Sequence, residues 1–289
     1  MFWLILSITT NSLLILILKA FGRFRINTLQ GIVMNYLTAA SMGFISAEHR
    51  LSSAELLHQN WSWVPPIMGL LFISIFFLLA KTAQTIGVSV ATIANKMSLV
   101  IPVTLAVILY HEHLEVLQYI GLVIALVAVV LSSLPAQKSE IPLSKHLFLP
   151  AIVFIGSGLI DALVNHAKKL PIADDQLPVF IASCFSVAFI VGISIIGFRL
   201  ATGKDRFEMK NILAGFLLAI PNYFSIYGIT RALGSGVMKS SALYPVNNMG
   251  IVALSAIAAL LVFREKFSLM NWIGILLSIG AIALIAFGG

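Results

Sequence analysis

The sequence predicts an all-α membrane protein with ten transmembrane helices, arranged as two inverted five-helix repeats. Three observations predict this fold class. Of the 289 residues, 60% are hydrophobic and 10% are charged, whereas soluble domains carry about 25% charged residues. Ten apolar runs are long enough to cross a membrane. The two halves of the chain also share a pattern of polar and small residues at fixed spacing.

The composition excludes a soluble protein, because too few polar residues exist to cover a core of this size. Lipid is therefore the expected outer solvent, and the bilayer the expected environment. The net charge of +7 does not indicate nucleic acid as a partner, since the basic residues lie mostly in short polar breaks between apolar runs. The single cysteine, Cys184, excludes an intramolecular disulfide and a multi-cysteine metal site.

A membrane-spanning helix needs about 20 mostly apolar residues. The predicted spans are residues 2–20, 28–46, 64–82, 88–110, 116–134, 147–166, 178–199, 211–229, 236–262 and 270–287. No basic segment precedes the first run, so it is predicted to be a retained span rather than a cleaved signal peptide. The longest N-terminal break, 48–61, is predicted to form a short interfacial helix.

The two halves of the chain resemble each other at an offset of 153 residues. This offset aligns Glu112 with Glu265, Gly121 with Gly274, and Asn95 with Asn248. We therefore predict two repeats, residues 1–137 and 138–289. Each holds five spans, an odd number, so the second repeat crosses the membrane in the opposite orientation. Inverted repeats of this kind are typical of secondary transporters.

The stretches Glu112…Gly121 and Glu265…Gly274 each resemble the end of an EamA domain, with an acidic residue after the fourth helix and a glycine at the start of the fifth. Two such domains in tandem resemble the drug/metabolite transporter superfamily. The resemblance implies a carrier of small solutes in the bacterial inner membrane, with a central cavity between its halves. Members of that superfamily carry amino acids, nucleotide-sugars, drugs and other solutes, so the substrate is not specified.

Lys96 and Asp161 stand out among the ionisable residues inside the predicted spans, where a charge is costly and marks a functional candidate. Lys96 lies near the middle of the fourth span and is predicted to line a polar cavity. Its alternatives are a structural ion pair or a side chain that reaches the interface. Asp161 lies in the second half of the sixth span. It is predicted to accept a proton, bind a cationic group or neutralise Lys96, and its alternative is a structural pair.

Uncharged polar residues inside other spans complete the predicted substrate-binding set. They are Asn11, Asn35, Asn95, Asn222, Tyr244, Asn247 and Asn248. Pro245 beside the last three removes one helical hydrogen bond and leaves a carbonyl available to a ligand. The alternative for each asparagine is an interhelical hydrogen bond that stabilises the bundle. Pro102 in the fourth span is predicted to kink that helix.

Two further patterns are interpreted as structural. The triplet His111-Glu112-His113 has the repeat partner Arg264-Glu265-Lys266, which cannot ligate a metal. Both are therefore interpreted as solvated helix ends anchored by their glutamates, and no metal site is predicted. Small residues recur at helical spacing from Gly121 and from Gly274. They predict packing faces on the fifth and tenth helices, within a monomer or across a homodimer.

The leading hypothesis is a secondary carrier or exporter of a small polar metabolite, such as an amino acid, that works by alternating access and is optionally coupled to protons. One alternative is efflux of multiple drugs or lipophilic cations, which a central lysine disfavours by repulsion. Another is a membrane scaffold that transports nothing. An enzyme is not expected, because ionisable groups within the spans are few, and no cofactor is predicted.

The basic residues give a prediction of orientation that conflicts with the resemblance. Twelve of them lie in the loops opposite the termini and five on the side of the termini. Because cytoplasmic loops are enriched in basic residues, this count favours termini outside the cell. Members of the resembled superfamily have both termini in the cytoplasm, so the orientation stays open.

Overall fold

The computed structural model describes residues 1–47, 55–56, 58–110, 113–135, 143–167, 176–235 and 240–287. Regular secondary structure within these ranges is helical. The helices are α1 Phe2–Arg23, α2 Thr28–Ser46, α3 Val64–Thr85, α4 Val88–Met97, α5 Val100–Tyr110, α6 Val116–Ser133, α7 Leu143–Ala167, α8 Leu177–Ala201, α9 Met209–Gly234, α10 Ser240–Val262 and α11 Leu269–Phe287. The predicted all-α fold class is confirmed.

Nine segments of the described chain are apolar and long enough to cross a membrane, and they coincide with nine of the predicted spans. Helices α4 and α5 together form one of these segments, Val88–Leu109. The remaining predicted span, 28–46, is helical as α2. It is less apolar than the others because it contains Gln30 and Asn35. The predicted interfacial helix at 48–61 lies largely outside the described residues.

The α-helical hydrogen bonding of the fourth span is interrupted in its middle, next to the position where Pro102 was predicted to kink the helix. Ser98 and Leu99 separate α4 from α5. In an unbroken helix the Ser98 carbonyl would accept a hydrogen bond from the amide of residue 102, but that residue is Pro102, which has no N–H. The Ser98 carbonyl instead accepts from the amide of Ile101 at 2.9 Å. The Ser98 hydroxyl donates back to the carbonyl of Asn95, so a tight turn replaces the helix at this point.

The chain forms two compact units, and each draws segments from both halves of the sequence. The first unit comprises Met1–Ala20, Leu78–Gly158 and Pro221–Gly289, and the second comprises Phe21–Phe77 and Leu159–Ile220. Helices α1, α3, α7 and α9 contribute to both units. These boundaries describe packing, whereas the predicted repeats 1–137 and 138–289 describe similarity of sequence. The repeat boundaries stay a prediction.

The apolar core of the first unit includes the interface between α6 and α11, where glycines allow the two backbones to approach closely. A Cβ atom at Gly121 in α6 would lie 3.0 Å from the backbone nitrogen of Ile285 in α11. A Cβ atom at Gly274 in α11 would lie 2.5 Å from the backbone nitrogen of Ser132 in α6. Gly274 follows Gly121 by 153 residues, and Ile285 follows Ser132 by the same offset. The contact of Gly121 with Ile285 and the contact of Gly274 with Ser132 thus join positions that correspond at this offset.

The hydrogen bonds across this interface show the same correspondence. The Gln118 side chain donates to the carbonyl of Ile285 at 3.1 Å. The Asn271 side chain donates to the carbonyl of Ser132 at 2.9 Å. Asn271 follows Gln118 by 153 residues. These paired contacts are what two repeats related by a pseudo-twofold axis predict.

In the second unit, α2 packs against α8, and the first halves of α3 and α9 pack against these two helices. A Cβ atom at Gly69 in α3 would lie 2.6 Å from Cβ of Val187 in α8. A Cβ atom at Gly215 in α9 would lie 2.5 Å from Cβ of Met34 in α2. Val187 follows Met34 by 153 residues. Gly215 follows Gly69 by 146 residues, so these two contacts do not correspond at the offset of 153, and the internal repeat stays a prediction in this unit.

Candidate functional site

Most of the predicted site residues lie in membrane-spanning helices of the first unit. They are Asn11 in α1, Asn95 and Lys96 in α4, Asn222 in α9, and Tyr244, Asn247 and Asn248 in α10. Asn35 in α2 and Asp161 in α7 belong to the second unit. Asn35 is fully buried, whereas Asp161 and Tyr244 are exposed. The first unit therefore contains the amides and the ammonium group on which the predicted site depends.

Asn95 is held by a neighbouring helix at the end of α4. Its side-chain amide donates to the hydroxyl of Ser157 in α7 at 2.9 Å. Ser157 is buried, and the adjacent Gly158 allows α7 to lie directly against Ile101 of α5. The bond orients the Asn95 amide and leaves its carbonyl oxygen as an acceptor. Ser157 was not predicted as part of the site.

Lys96 lies in the last turn of α4, directly before the break in the fourth span. Its side chain is partly buried. A cation in this position is stabilised by the carbonyl end of the helix, whose macrodipole is negative there. This stabilisation lowers the cost of holding an ammonium group at mid-membrane depth. The role of Lys96 in binding an anionic group of a solute stays a prediction.

Asn247 in α10 has a buried acceptor that the surrounding residues do not satisfy. The residue is 6% exposed, and its Oδ1 atom has no hydrogen-bond partner among the described residues. A buried polar atom without a partner costs about 1–3 kcal/mol. Asn248 beside it is partly buried. α10 continues without interruption through Pro245, so the predicted local break is confined to the one hydrogen bond that proline removes.

Helices α1 and α9 are joined by a buried hydrogen bond that sets their register. The Ser7 hydroxyl donates to the carbonyl of Ser225 at 2.9 Å. Asn11 lies one turn after Ser7, and Asn222 lies about one turn before Ser225. The first and eighth spans run in opposite directions across the membrane. A step forward along α1 and a step backward along α9 therefore lead in the same direction from this hydrogen bond. Asn11 and Asn222 therefore lie at similar depth on neighbouring helices.

Two buried serines were also missed by the sequence analysis. Ser12 in α1 and Ser255 in α10 are buried, and their hydroxyls have no partner among the described residues. α1 and α10 are the first and ninth spans, which cross the membrane in the same direction because successive spans alternate, and Gly250 of α10 lies against Ile8 of α1. Ser12 follows Ile8 by four residues and Ser255 follows Gly250 by five. Both serines therefore lie about one turn beyond this contact, at a similar level. Ser255 follows Asn248 by seven residues, about two helical turns, and this spacing was a signal that could have identified it, whereas Ser12 directly follows Asn11 in the same apolar run.

At the membrane edge of the first unit, Glu265 joins three segments. Its Oε1 atom lies 2.6 Å from the ammonium of Lys19 at the end of α1, and it accepts a hydrogen bond from the Val88 amide at 2.9 Å. An anion is favoured at this position because the N-terminus of α4 carries free N–H groups and a positive partial charge. A Cβ atom at Gly87 would lie 2.9 Å from Glu265 Oε2. Glu265 thus fixes the start of α4, the helix that carries Lys96.

Comparison with known proteins gives a relative and a shared fold. No family model matches the chain. A protein of Haemophilus influenzae described as uncharacterized is 26% identical over 284 residues, which cover 96% of this chain and 95% of that protein. A crystal structure with 16% sequence identity matches with a TM-score of 0.62 and covers 99% of this chain and 96% of its own. The chain is thus similar over its length to a bacterial protein, and its fold occurs in a solved structure.

Proposed function

We propose that this protein is a secondary carrier that moves a small polar metabolite, such as an amino acid, across the bacterial inner membrane by alternating access. The observation that carries the proposal is the break in the fourth span beside Asn95 and Lys96. Interrupted helices at membrane depth occur where the backbone faces protein or a water-filled cavity. They recur at the substrate sites of secondary transporters.

The polar groups of the first unit match the functional groups of an amino-acid-like solute. The ammonium of Lys96 is assigned to a carboxylate, because an ammonium group donates charge-assisted hydrogen bonds to a carboxylate. The buried Oδ1 atom of Asn247 accepts a hydrogen bond and is assigned to a donor such as an amino or hydroxyl group. Asn95 and Asn248 supply further amides. Asp161, in the second unit, is assigned to proton coupling.

We assign the carrier to the drug/metabolite transporter superfamily, of the EamA type with ten spans. The assignment is supported by the corresponding contacts of α6 and α11, which recur at the offset that aligns Glu112 with Glu265. It is also supported by the nine apolar segments of the described residues that are long enough to cross a membrane. Lipophilic cations are the less favoured substrates, because Lys96 repels them.

The test begins with purified protein and a thermal-shift screen of amino acids, nucleotides and sugars. A bound solute stabilises the folded state in proportion to its occupancy. The solute that stabilises the protein is then used in proteoliposomes loaded with unlabelled solute, and uptake of labelled solute is measured. A carrier that alternates between two states exchanges the two solutes and shows accelerated uptake.

Lys96→Ala is expected to reduce this exchange and the thermal shift by about tenfold or more, because a hydrogen bond to a charged group is worth about 1.5–3 kcal/mol. The matched control is Lys81→Ala, which removes an exposed lysine near the end of α3 and leaves both measurements unchanged. Equal exchange by the wild type and Lys96→Ala would remove Lys96 from the site. If no solute is accumulated or exchanged, the carrier function itself is wrong.

A further inference from the structure

An aromatic cluster surrounds the guanidinium of Arg231, near the end of α9 in the first unit. Tyr223, Tyr227 and Arg231 lie four residues apart and therefore share one face of the helix. The rings of Tyr223 and Tyr227 are stacked, with centroids 5.9 Å apart and an interplanar angle of 13°. Trp3 of α1 meets Tyr227 edge to face, at a centroid distance of 5.6 Å.

The guanidinium carbon of Arg231 lies 5.5 Å from the centroid of the Trp3 ring and 5.7 Å from that of Tyr227. Both distances are in the range of a cation–π interaction. Gly228 allows this arrangement, because a Cβ atom there would lie 2.9 Å from the carbonyl oxygen of Trp3. The two rings therefore restrict the orientation of an otherwise flexible side chain.

Arg231 nevertheless retains its capacity to bind an anion. Aromatic rings interact with the face of a guanidinium, whereas its five N–H donors point outward in its plane and match the geometry of a carboxylate or phosphate. No carboxylate lies within salt-bridge distance of Arg231 among the described residues, and the residue is exposed. A positioned arginine whose donors remain available is a suitable receptor for an oxyanion.

The cluster is separate from the polar residues at mid-membrane depth. Arg231 follows Asn222 by nine residues, which corresponds to about 13 Å along a helix. The aromatic rings of Tyr223 and Tyr227 occupy the two turns between them. An anion at Arg231 would therefore lie closer to the membrane edge than a solute bound at Asn222.

We propose that Arg231, oriented by Trp3 and Tyr227, forms a second binding site for an oxyanion at this edge of the membrane. The ligand is a carboxylate or phosphate group, either of a dissolved solute or of an anionic lipid headgroup. The guanidinium recognises the oxyanion of either source in the same way. The site does not depend on the carrier function.

The test uses the full chain in nanodiscs of zwitterionic phosphatidylcholine. In one arm inorganic phosphate replaces chloride at constant ionic strength, and in the other phosphatidylglycerol replaces part of the phosphatidylcholine. The midpoint of thermal unfolding is measured in both arms, because a ligand that binds the folded state raises it. The wild type is expected to be stabilised in at least one arm, and the responding arm identifies the source of the oxyanion.

Arg231→Gln is expected to weaken the response by about tenfold or more in apparent affinity, since it removes the charge and the fork of donors. Arg23→Gln, which removes an exposed arginine at the end of α1, is the control and leaves the response unchanged. The proposal is overturned if the wild type responds in neither arm, or if Arg231→Gln responds like the wild type.

Two milder variants test the arrangement when Arg231→Gln does not fold. Arg231→Lys keeps the charge and loses the planar fork, and Trp3→Leu keeps the arginine and removes one ring. Both are expected to bind the same anion several-fold more weakly. Unchanged affinity in both variants would show that binding requires neither the planar guanidinium nor its orientation by aromatic rings, and would contradict the proposed site.

Discussion

Two asparagines of the first unit have the same exposed fraction, 6%, and different surroundings. The Nδ2 group of Asn271 donates to the carbonyls of Ser132 at 2.9 Å and Leu134 at 2.8 Å, and its Oδ1 accepts from the Ser268 amide at 2.8 Å. Oδ1 of Asn247 has no partner among the described residues. The first asparagine therefore stabilises the fold, whereas the second holds a buried acceptor without a partner among the described residues.

This difference predicts opposite effects of the same substitution. Asn271→Leu is expected to lower the free energy of unfolding by about 2 kcal/mol or more, because several backbone groups lose their partner. Asn247→Leu is expected to leave the stability of the ligand-free protein nearly unchanged and to weaken solute binding by about tenfold. Thermal unfolding in detergent, with and without the solute found by screening, measures both effects.

The two variants serve as controls for each other, because both replace a buried asparagine in a spanning helix of one unit. If Asn247→Leu is as unstable as Asn271→Leu, then Asn247 has a structural role. If its stability and its affinity for the solute are both those of the wild type, Asn247 lies outside the site.

At the level of residues, the sequence predicted which polar side chains enter the membrane and not which of them bond to each other. Asn247 was predicted from its place beside Pro245 in an apolar run. Ser157 was missed, because a serine inside a span is common and its partner, Asn95, lies 62 residues away. Composition and spacing report the face of a helix on which a residue lies. The neighbour on that face depends on the tertiary fold.

At the level of helices, close packing of α6 and α11 depends on single glycines. Gly274 faces the backbone of Ser132, whereas a Cβ atom at Gly280 in the same helix would meet nothing within 4 Å. Gly274→Ala is expected to lower stability by about 1–3 kcal/mol, the usual cost of overpacking. Gly280→Ala is expected to have no effect or to stabilise the helix by up to about 1 kcal/mol.

Thermal unfolding of the two alanine variants in one detergent gives this comparison directly. Equal stability of Gly274→Ala and Gly280→Ala would show that the α6–α11 interface adapts to an added methyl group. It would then follow that the small residues of these helices are not required for close approach.

The turn between α4 and α5 provides a second test at this level. Pro102→Ala returns an N–H donor that the Ser98 carbonyl can accept, so α4 and α5 are expected to join into one helix. Hydrogen exchange should then show a protected amide at residue 102. Exchange of solute in proteoliposomes should fall, because the break beside Lys96 is lost. If the amide of residue 102 exchanges rapidly in this variant and transport is unchanged, the turn has a cause other than Pro102.

The helices themselves were the most predictable part of the structure. Runs such as 178–199 coincide with α8 because a long apolar segment in lipid satisfies its backbone hydrogen bonds only as a helix. The predicted kink at Pro102 became a break because Ser98 lies four residues earlier and its hydroxyl supports a tight turn by donating to Asn95. This local detail depends on a side-chain conformation that hydrophobic periodicity does not report.

At the level of the whole molecule, proton coupling is the property that the proposal assigns to Asp161. If a proton binds there during transport, a pH gradient is expected to increase accumulation of the solute by the wild type. Asp161→Asn should remove this increase and retain exchange of solute at equal pH on both sides. Uptake into proteoliposomes with and without the gradient measures the difference.

Asp205→Asn is the matched control for Asp161. Asp205 lies between α8 and α9, outside the membrane-spanning segments, and accepts a hydrogen bond from Arg199 Nε at 2.6 Å. This hydrogen bond and the positive charge of Arg199 hold the pKa of Asp205 below its ordinary value. The carboxylate therefore remains ionised as the pH falls towards that value, and the control should respond to the gradient like the wild type. Loss of the response in both variants would contradict the role of Asp161.

The sequence repeat and the compact units divide the molecule in different ways. The offset of 153 residues predicts two similar halves, and the contacts of Gly121 and Gly274 recur at that offset. The units could not be predicted, because they arise when equivalent helices of the two halves pack together. Similarity of sequence identifies equivalent positions in the two halves. It does not report which helices pack against each other, as α6 and α11 do.

The pairing of α6 with α11 has a consequence for biosynthesis. The face of α6 around Gly121 is complete only when Ile285, close to the end of the chain, has been synthesised and inserted. During translation that face must contact lipid or the insertion machinery while the 164 residues from Gly121 to Ile285 are added. Ribosome stalling shortly before α11 should therefore leave a membrane-inserted but protease-sensitive intermediate, and release of the last helix should convert it to the resistant form.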